Sequence, residues 1–319
     1  MYNNKELCKK VIKDYDIPLY YIDNIQFEKC MKTVYLPKKY KDAFKIAESY
    51  CKKYNLTCNQ FIERVNDVIE KIIQHISNLD SYTKHFISEP PNKLFGELRG
   101  SFLGIRYTKS LNIFKPENKD RKFISVDLVS ANSQVFIRYG VTNKNFDELC
   151  FDFSYSEELA QYISNSKHLR QVVYGNLNPQ RQQHAERIMT ESVLDYLYSH
   201  HNIKEDDIVG YTTDEIILNY TDNTFNSLIN SEYVADKVFE DIGISVRIVP
   251  FELHKIEPYN FYVKELLEKT RSFEFKCVPK KYYAQVVTYW FVVPMSEHYL
   301  RFLHEGDIVR FEKPLFSPK

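Results

Sequence analysis

From about Lys122 to Leu253 the hydrophobic period of the chain switches between two and 3.6 residues, and the order of elements this produces restricts the fold more than any other feature. Phe123–Leu128 alternates as a strand. A helix is predicted near 180–199, with Asn178 as its cap, Pro179 in its first turn and Ile188, Val193 and Leu197 facing inward. Strands Ile208–Thr212 and Ile216–Tyr220 follow. A second helix is expected to carry Phe225, Leu228, Ile229, Val234, Val238 and Ile242, with Gly243 as its C-cap. Strand Ser245–Leu253 closes the run.

This β-α-β-β-α-β order is the split βαβ, or ferredoxin-like, plan of an α+β protein. In that plan the first strand and the later hairpin lie side by side in one antiparallel sheet. Asp127 ends the first strand, and Asp214 and Glu215 stand where the hairpin turns, so acids 87 positions apart are expected to converge. Carboxylates on rigid strand tips can hold hard divalent cations. A pair of such ions about 3.5–4 Å apart moves nucleotidyl groups by acidifying a hydroxyl and shielding the leaving pyrophosphate. Asp127 and Asp214 are the expected metal ligands, Glu215 a third carboxylate, and Mg²⁺ or Mn²⁺ the expected ions, two per site. A plainer account of Thr213-Asp214 is a polar hairpin turn.

Residues 1–95 read as a helical region. Phe61, Ile62, Val65, Val68, Ile69, Ile72, Ile73, Ile76 and Leu79 recur at helical spacing, and Glu89-Pro-Pro-Asn92 breaks the pattern. The sequence divides into that region, a central part over 96–258 with an insertion at about 140–180, and a C-terminal part over 259–319. In the last part Phe273–Val278 and Tyr282–Val293 read as strands and Leu300–Glu305 as a short element. The 43 basic and 43 acidic side chains cancel, which argues against a strongly basic, autonomous nucleic-acid binder. The six cysteines show no zinc-finger spacing, and neither a signal peptide nor a membrane-length apolar run is present, so an intracellular, membrane-free setting is expected. The aromatic content of 15% together with abundant Lys, Asn, Ile and Tyr suits an AT-rich genome, such as that of a virus, phage or mobile element.

With the acids in this order, the chain resembles the right-hand, palm-domain nucleic acid polymerases over about residues 96–285. Asp127-Leu-Val-Ser-Ala-Asn-Ser133 is similar to their first catalytic motif, and Tyr211-Thr-Thr-Asp-Glu215 to their third. Lys167-His-Leu-Arg-Gln-Val-Val-Tyr-Gly175 resembles the family B fingers motif Lys-x3-Asn-x2-Tyr-Gly, with Gln171 in the Asn place. Lys280-Lys-Tyr282 resembles the family B Lys-x-Tyr, and Gly96-Glu-Leu-Arg-Gly100 a segment of protein-primed members. The resemblance implies a palm with a short fingers insertion and a small thumb-like C-terminal part. It implies an NTP or dNTP substrate, a nucleic acid template and primer, and partner subunits of a replication or transcription complex. Lys167 and Arg170 would hold triphosphate, with Arg170 the better fork and Lys167 the better point charge. Tyr174, Gly175, Leu128 and Asn132 would line the base and sugar pocket, Lys280 and Tyr282 would steady the primer, and Arg99 would lie beside the template.

Several residues depart from any single subfamily. Thr212 replaces the first acid of the family B Asp-Thr-Asp, and Asp214-Glu215 is closer to family A. Asp127 to Phe136 follows the Asp-x6-Gln-x-Phe pattern of single-subunit RNA polymerases, and the 87-residue spacing is nearer to reverse transcriptases. Asn132 stands where most DNA-making members place an aromatic ring against the ribose 2′-hydroxyl, so weak discrimination between sugars is expected. Two other functions share this architecture. Cyclic-nucleotide synthases use a Gly-Gly-Asp-Glu-Phe hairpin, which Thr212-Thr-Asp-Glu-Ile216 imitates without its glycines. A non-catalytic palm that binds nucleic acid or scaffolds a larger complex is the third alternative.

Overall fold

The computed structural model describes residues 4–17, 38–89, 112–229, 235–239, 241–257, 259–267, 272–290, 301–304 and 307–310. Helices α1 (Asn4–Asp14), α2 (Lys38–Lys53) and α3 (Cys58–Ser77) come first, followed by a short helical turn that continues as a π-helix over Thr83–Ser88. The helical reading of the N-terminal region holds for its described residues. Strand β1 (Arg121–Leu128) leads into α4 (Ala131–Arg138), α5 (Phe146–Phe153), α6 (Glu157–Ser164), α7 (Lys167–Gly175) and α8 (Pro179–His201). Then come β2 (Ile208–Tyr211), β3 (Glu215–Asn219), α9 (Asp222–Leu228), β4 (Ala235–Phe239), β5 (Ile244–Ile256), β6 (Phe261–Leu266) and β7 (Ser272–Lys276). Helix α10 (Tyr283–Trp290) and the hairpin of β8 (Arg301–His304) and β9 (Asp307–Arg310) end the described chain. The protein is therefore a mixed α+β chain with antiparallel strands.

Two compact units share these elements. One gathers residues 1–72, 146–173 and 277–319; the other holds residues 73–145 and 174–276. The division runs through α7 and detaches 146–173 from the sheet, so the segment expected as an insertion belongs with the N-terminal helices.

The helical unit is knitted around a buried carboxylate. The Tyr162 hydroxyl donates to Asp14 Oδ2 at 2.8 Å, and Lys10 Nζ lies 2.7 Å from Asp14 Oδ1. The Ser166 hydroxyl donates to the Asp14 carbonyl, and the Tyr15 hydroxyl to the Tyr162 carbonyl at 2.6 Å. Burial raises the Asp14 pKa, and Lys10 and the Tyr162 hydroxyl only partly oppose it.

In the sheet unit the strand path is β2-β3-β1-β5-β6-β7, with β4 also paired to β5, and every pairing is antiparallel. β1 lies between β3 and β5, and Phe123, Ile124, Ser125 and Val126 are all buried, so both of its faces are covered. Phe123, Ile217, Phe251, Leu253 and Tyr262 meet Ile113 on one face. Helix α8, 23 residues long, packs against β3 and α4. It starts as the sequence predicts: Asn178 caps it by accepting from the Arg181 N–H, and Pro179 fills the first turn. Arg181 ties that start to the π-helix by donating to the carbonyls of His85 and Glu89.

Two expected elements are different in the structure. The helix expected to run from Phe225 to Ile242 is confined to α9, and Ala235–Phe239 is a strand paired with Ile244–Ile248. Val238, expected on that helix, is an exposed strand residue, and Gly243, at φ +60°, serves the turn into β5 instead of a helix end. Tyr282–Val293 was expected as a strand; its residues 283–290 form α10, with Val286 and Val287 buried. The β-branched and aromatic residues there favour a strand locally, and packing overrides that preference.

Gly210 on β2 is required for space. A Cβ at this position would lie 2.9 Å from Ile217 Cβ and 3.1 Å from Ile113 Cγ2, beside a register irregularity between Ile208 and Gly210. Gly210→Ala is expected to destabilise the sheet unit by about 1–3 kcal/mol through overpacking, measured by denaturant unfolding.

Candidate functional site

The Cα register sets Asp127 of β1 opposite Glu215 of β3 on one side and Arg247 of β5 on the other. Opposed residues of an antiparallel pair have Cα atoms about 4.5–5.5 Å apart. Asp214 is one residue beyond Glu215, and its carbonyl accepts the Leu128 N–H at 2.9 Å. The two aspartates, distant in the chain, thus occupy the same end of neighbouring strands. Alternation along the strands puts Asp127 and Glu215 on one face with Ser125. Asp214 lies in the turn, where alternation no longer dictates direction.

Short contacts hold the turn. The Thr212 N–H donates to the Glu215 carbonyl at 2.9 Å, and the Glu215 N–H returns a bond to Thr212 Oγ1 at 3.1 Å. The Thr212 hydroxyl donates to Asp214 Oδ1 at 3.2 Å. From α8, the Thr190 hydroxyl donates to the Thr213 carbonyl at 2.6 Å. The bland account of Thr213-Asp214 as a hairpin turn is correct as local structure.

Glu215 is held by side chains of two neighbouring strands. Lys264 Nζ of β6 lies 2.8 Å from Glu215 Oε1, and the Ser125 hydroxyl donates to the same oxygen. Burial alone would raise this carboxyl, but Lys264, Ser125 and Lys276 outweigh it and hold the pKa below the usual 4.5. The Lys264 ammonium also stands 4.3 Å from the centre of the Phe251 ring. Burial disfavours the Lys276 ammonium, yet Glu274, then Glu215 and Asp127, raise its pKa above 10.5. Ser125, Lys264 and Lys276 were not anticipated from the sequence. The signal for Lys264 was a single lysine inside the otherwise apolar Phe261-Tyr-Val-Lys264 run.

The other expected site residues are distributed as follows. Asn132 is half-buried in the first turn of α4, and Leu128 is buried. α7 carries the whole Lys167 to Gly175 motif, with Lys167 exposed and Arg170 half-buried. Arg170 is close enough to Asp147 to lower its carboxyl, although burial leaves that group raised overall. Tyr174, expected beside a nascent base pair, is completely buried, with its ring centre 5.0 Å from that of Phe136; its surface belongs to the core. Gly175 is exposed. Lys167 and Arg170 fall in the helical unit, and Asp127 and Asp214 in the sheet unit. Lys280 pairs with Asp16 at 2.6 Å, and Tyr282 is buried. Arg99 lies outside the described residues.

Among the described residues, Asp120, Glu252 and His254 form the set of three potential ligands whose atoms gather within 4.8 Å; Asp127, Asp214 and Glu215 do not form such a set. A cavity of about 500 Å³ lined by Arg121, Lys122, Asp207, Asn219, Tyr220 and Thr221 lies at the other end of β1 from Asp127. No described helix is long and apolar enough to cross a membrane. Comparison of the chain with protein-family models, with curated proteins and with solved structures finds no significant match.

The Lys264–Glu215 pair is mostly buried, so removing one partner strands the other. Lys264→Met is expected to cost about 3–5 kcal/mol in denaturant unfolding, most of it recovered in the Lys264→Met/Glu215→Leu double variant. Since folding lowers the Glu215 pKa, its stabilisation is complete above the usual 4.5 and is lost as pH falls through the lower folded value. An acid titration of stability should therefore fall more steeply for the wild-type protein than for Lys264→Met.

Proposed function

We propose that this chain is a template-directed nucleotidyltransferase that adds nucleotides to a 3′-hydroxyl from a palm-type sheet. The observation that carries this reading is the Leu128 N–H to Asp214 carbonyl bond together with the Asp127–Glu215 register, which bring the two aspartates to one end of adjacent strands. The β2-β3-β1-β5 order, antiparallel throughout, supports the ferredoxin-like plan, because that plan sets its first strand between its third and fourth. The fold class of the whole, a palm with fingers and a thumb-like part, is part of the same proposal.

In this reading Asp127 and Asp214 hold the metal. Their chemistry fits the role: two carboxylates on neighbouring strand ends, one of them in a turn braced by Thr212 and Thr190. Glu215 fits a supporting role, because Oε1 is engaged by Lys264 and Ser125. Two Mg²⁺ or Mn²⁺ ions would acidify the attacking 3′-hydroxyl and shield the departing pyrophosphate. The chain's own groups do the rest. Within the sheet unit, Asn132 and the Leu128 backbone set the sugar. Template and primer nucleic acid, an NTP or dNTP, and partner subunits of a replication or transcription assembly inside a cell are the partners this reading implies.

A second reading is a palm that binds nucleic acid without catalysis. It is favoured by the lysines, since Lys264 pairs with Glu215 and Lys276, engaged first by Glu274, also lies in the field of Glu215 and Asp127.

Primer extension in Mg²⁺ and in Mn²⁺, on DNA and RNA templates with dNTP and NTP pools, distinguishes the two. Asp127→Asn and Asp214→Asn are each expected to lower incorporation at least about a thousandfold, near 4 kcal/mol in the barrier, while leaving thermal unfolding unchanged. Incorporation unaffected by both substitutions, or absent from the wild-type protein under every condition, would favour the scaffold. Asn132→Tyr is expected to increase discrimination against NTPs; an unchanged dNTP-to-NTP ratio would remove Asn132 from the sugar pocket.

A further inference from the structure

We propose that Asp120, Glu252 and His254 form a binding site for one divalent cation of the first transition row, with Zn²⁺ as its simplest occupant. Asp120 immediately precedes β1, Glu252 and His254 lie on β5, and their ligand atoms gather within 4.8 Å. His254 Nδ1 is 3.1 Å from Asp120 Oδ1 and 4.0 Å from Glu252 Oε1. Tetrahedral Zn²⁺, with bonds near 2.0–2.2 Å, sets its ligand atoms roughly 3.3–3.5 Å apart, so small side-chain shifts would close the three around a single ion.

One further observation points to a cation. His254 Nε2 faces Glu265 Oε2 of β6 at 3.0 Å. A carboxylate in that position accepts the Nε2 proton and turns the Nδ1 lone pair toward Asp120 and Glu252, the arrangement that orients metal-binding histidines. The His254, Glu252 and Glu265 side chains are only 18%, 27% and 13% exposed, so these groups are largely shielded from solvent. The imidazole disfavours Mg²⁺ and Ca²⁺, which prefer oxygen shells, and suits Zn²⁺.

This site is independent of the polymerase proposal. Asp120 precedes Asp127 by seven residues along β1, roughly 23 Å at about 3.3 Å per residue. With three protein ligands, water would complete the coordination shell. The ion would fasten the approach to β1 onto β5 and, through Glu265, onto β6.

The test is Zn²⁺ titration of the full chain, free of any histidine tag, by calorimetry, with Co²⁺ absorption as a second readout. One equivalent is expected to bind and to raise the unfolding temperature. His254→Gln and Glu252→Gln should each weaken binding at least about tenfold and remove the Co²⁺ d–d bands, and Glu265→Gln should weaken it about 10–100-fold. Asp214→Asn should leave binding unchanged, so loss of incorporation and loss of Zn²⁺ are separately readable. If His254→Gln does not fold, Glu252→Gln decides alone. Zn²⁺ binding that survives Glu252→Gln, or wild-type protein that takes up none, would mean an imidazolium bridging carboxylates only and would overturn the proposal.

Discussion

Strand β1 is hydrogen-bonded along both sides, to β3 and to β5, and nearly every other feature of the sheet unit depends on that double pairing. A strand paired on both sides cannot slip by one residue without sending its hydrophobic set to the wrong face on both partners. Phe123, Ile124, Ser125 and Val126 are buried together, so both faces resist such a slip. The register that results is what sets Asp127 across from Glu215 and brings the hairpin turn to the same end of the sheet.

One consequence is electrostatic. Acids fixed at a strand end by backbone geometry cannot move apart to relieve their repulsion, so the neighbouring strands have to supply compensation. Lys264 on β6 and Lys276 on β7 do this for Glu215 and Asp127. At the opposite end of β1, Asp120, Glu252 and Glu265 have His254 between them instead. The sheet thus carries two groups of acids, one faced by lysines and the other by a histidine.

What the sequence disclosed follows a physical division. β1, the β2–β3 hairpin, α8 with its Asn178 cap and β5 were legible because apolar period, capping and turn chemistry agreed in each. The stretch after α9 misled because Val234 and Val238 are four residues apart and so mimic a helical face. In the structure β4 pairs with the long β5, and Val238 points to solvent. Residues 283–290 misled in the opposite sense, since Val, Tyr and Trp favour strands while the chain there is helical. At the candidate site the aspartates could be paired by topology alone. Lys264 and Lys276 could not, because they arrive from later strands in no recognisable motif, and their roles depend on which face each occupies. Tyr174 read as a pocket residue from its neighbours in sequence, and its burial is a tertiary fact that no local pattern encodes.

The bond from Thr190 to the Thr213 carbonyl joins the hairpin tip to the middle of the 23-residue helix α8. A two-strand turn held only by its own ladder would fray at its own pace, with its residues exchanging protons and changing shape independently of the rest. Anchored here, the tip can open only if a contact to the longest of the described helices is broken first. The mobility of Asp214 is accordingly inherited from a rigid rod.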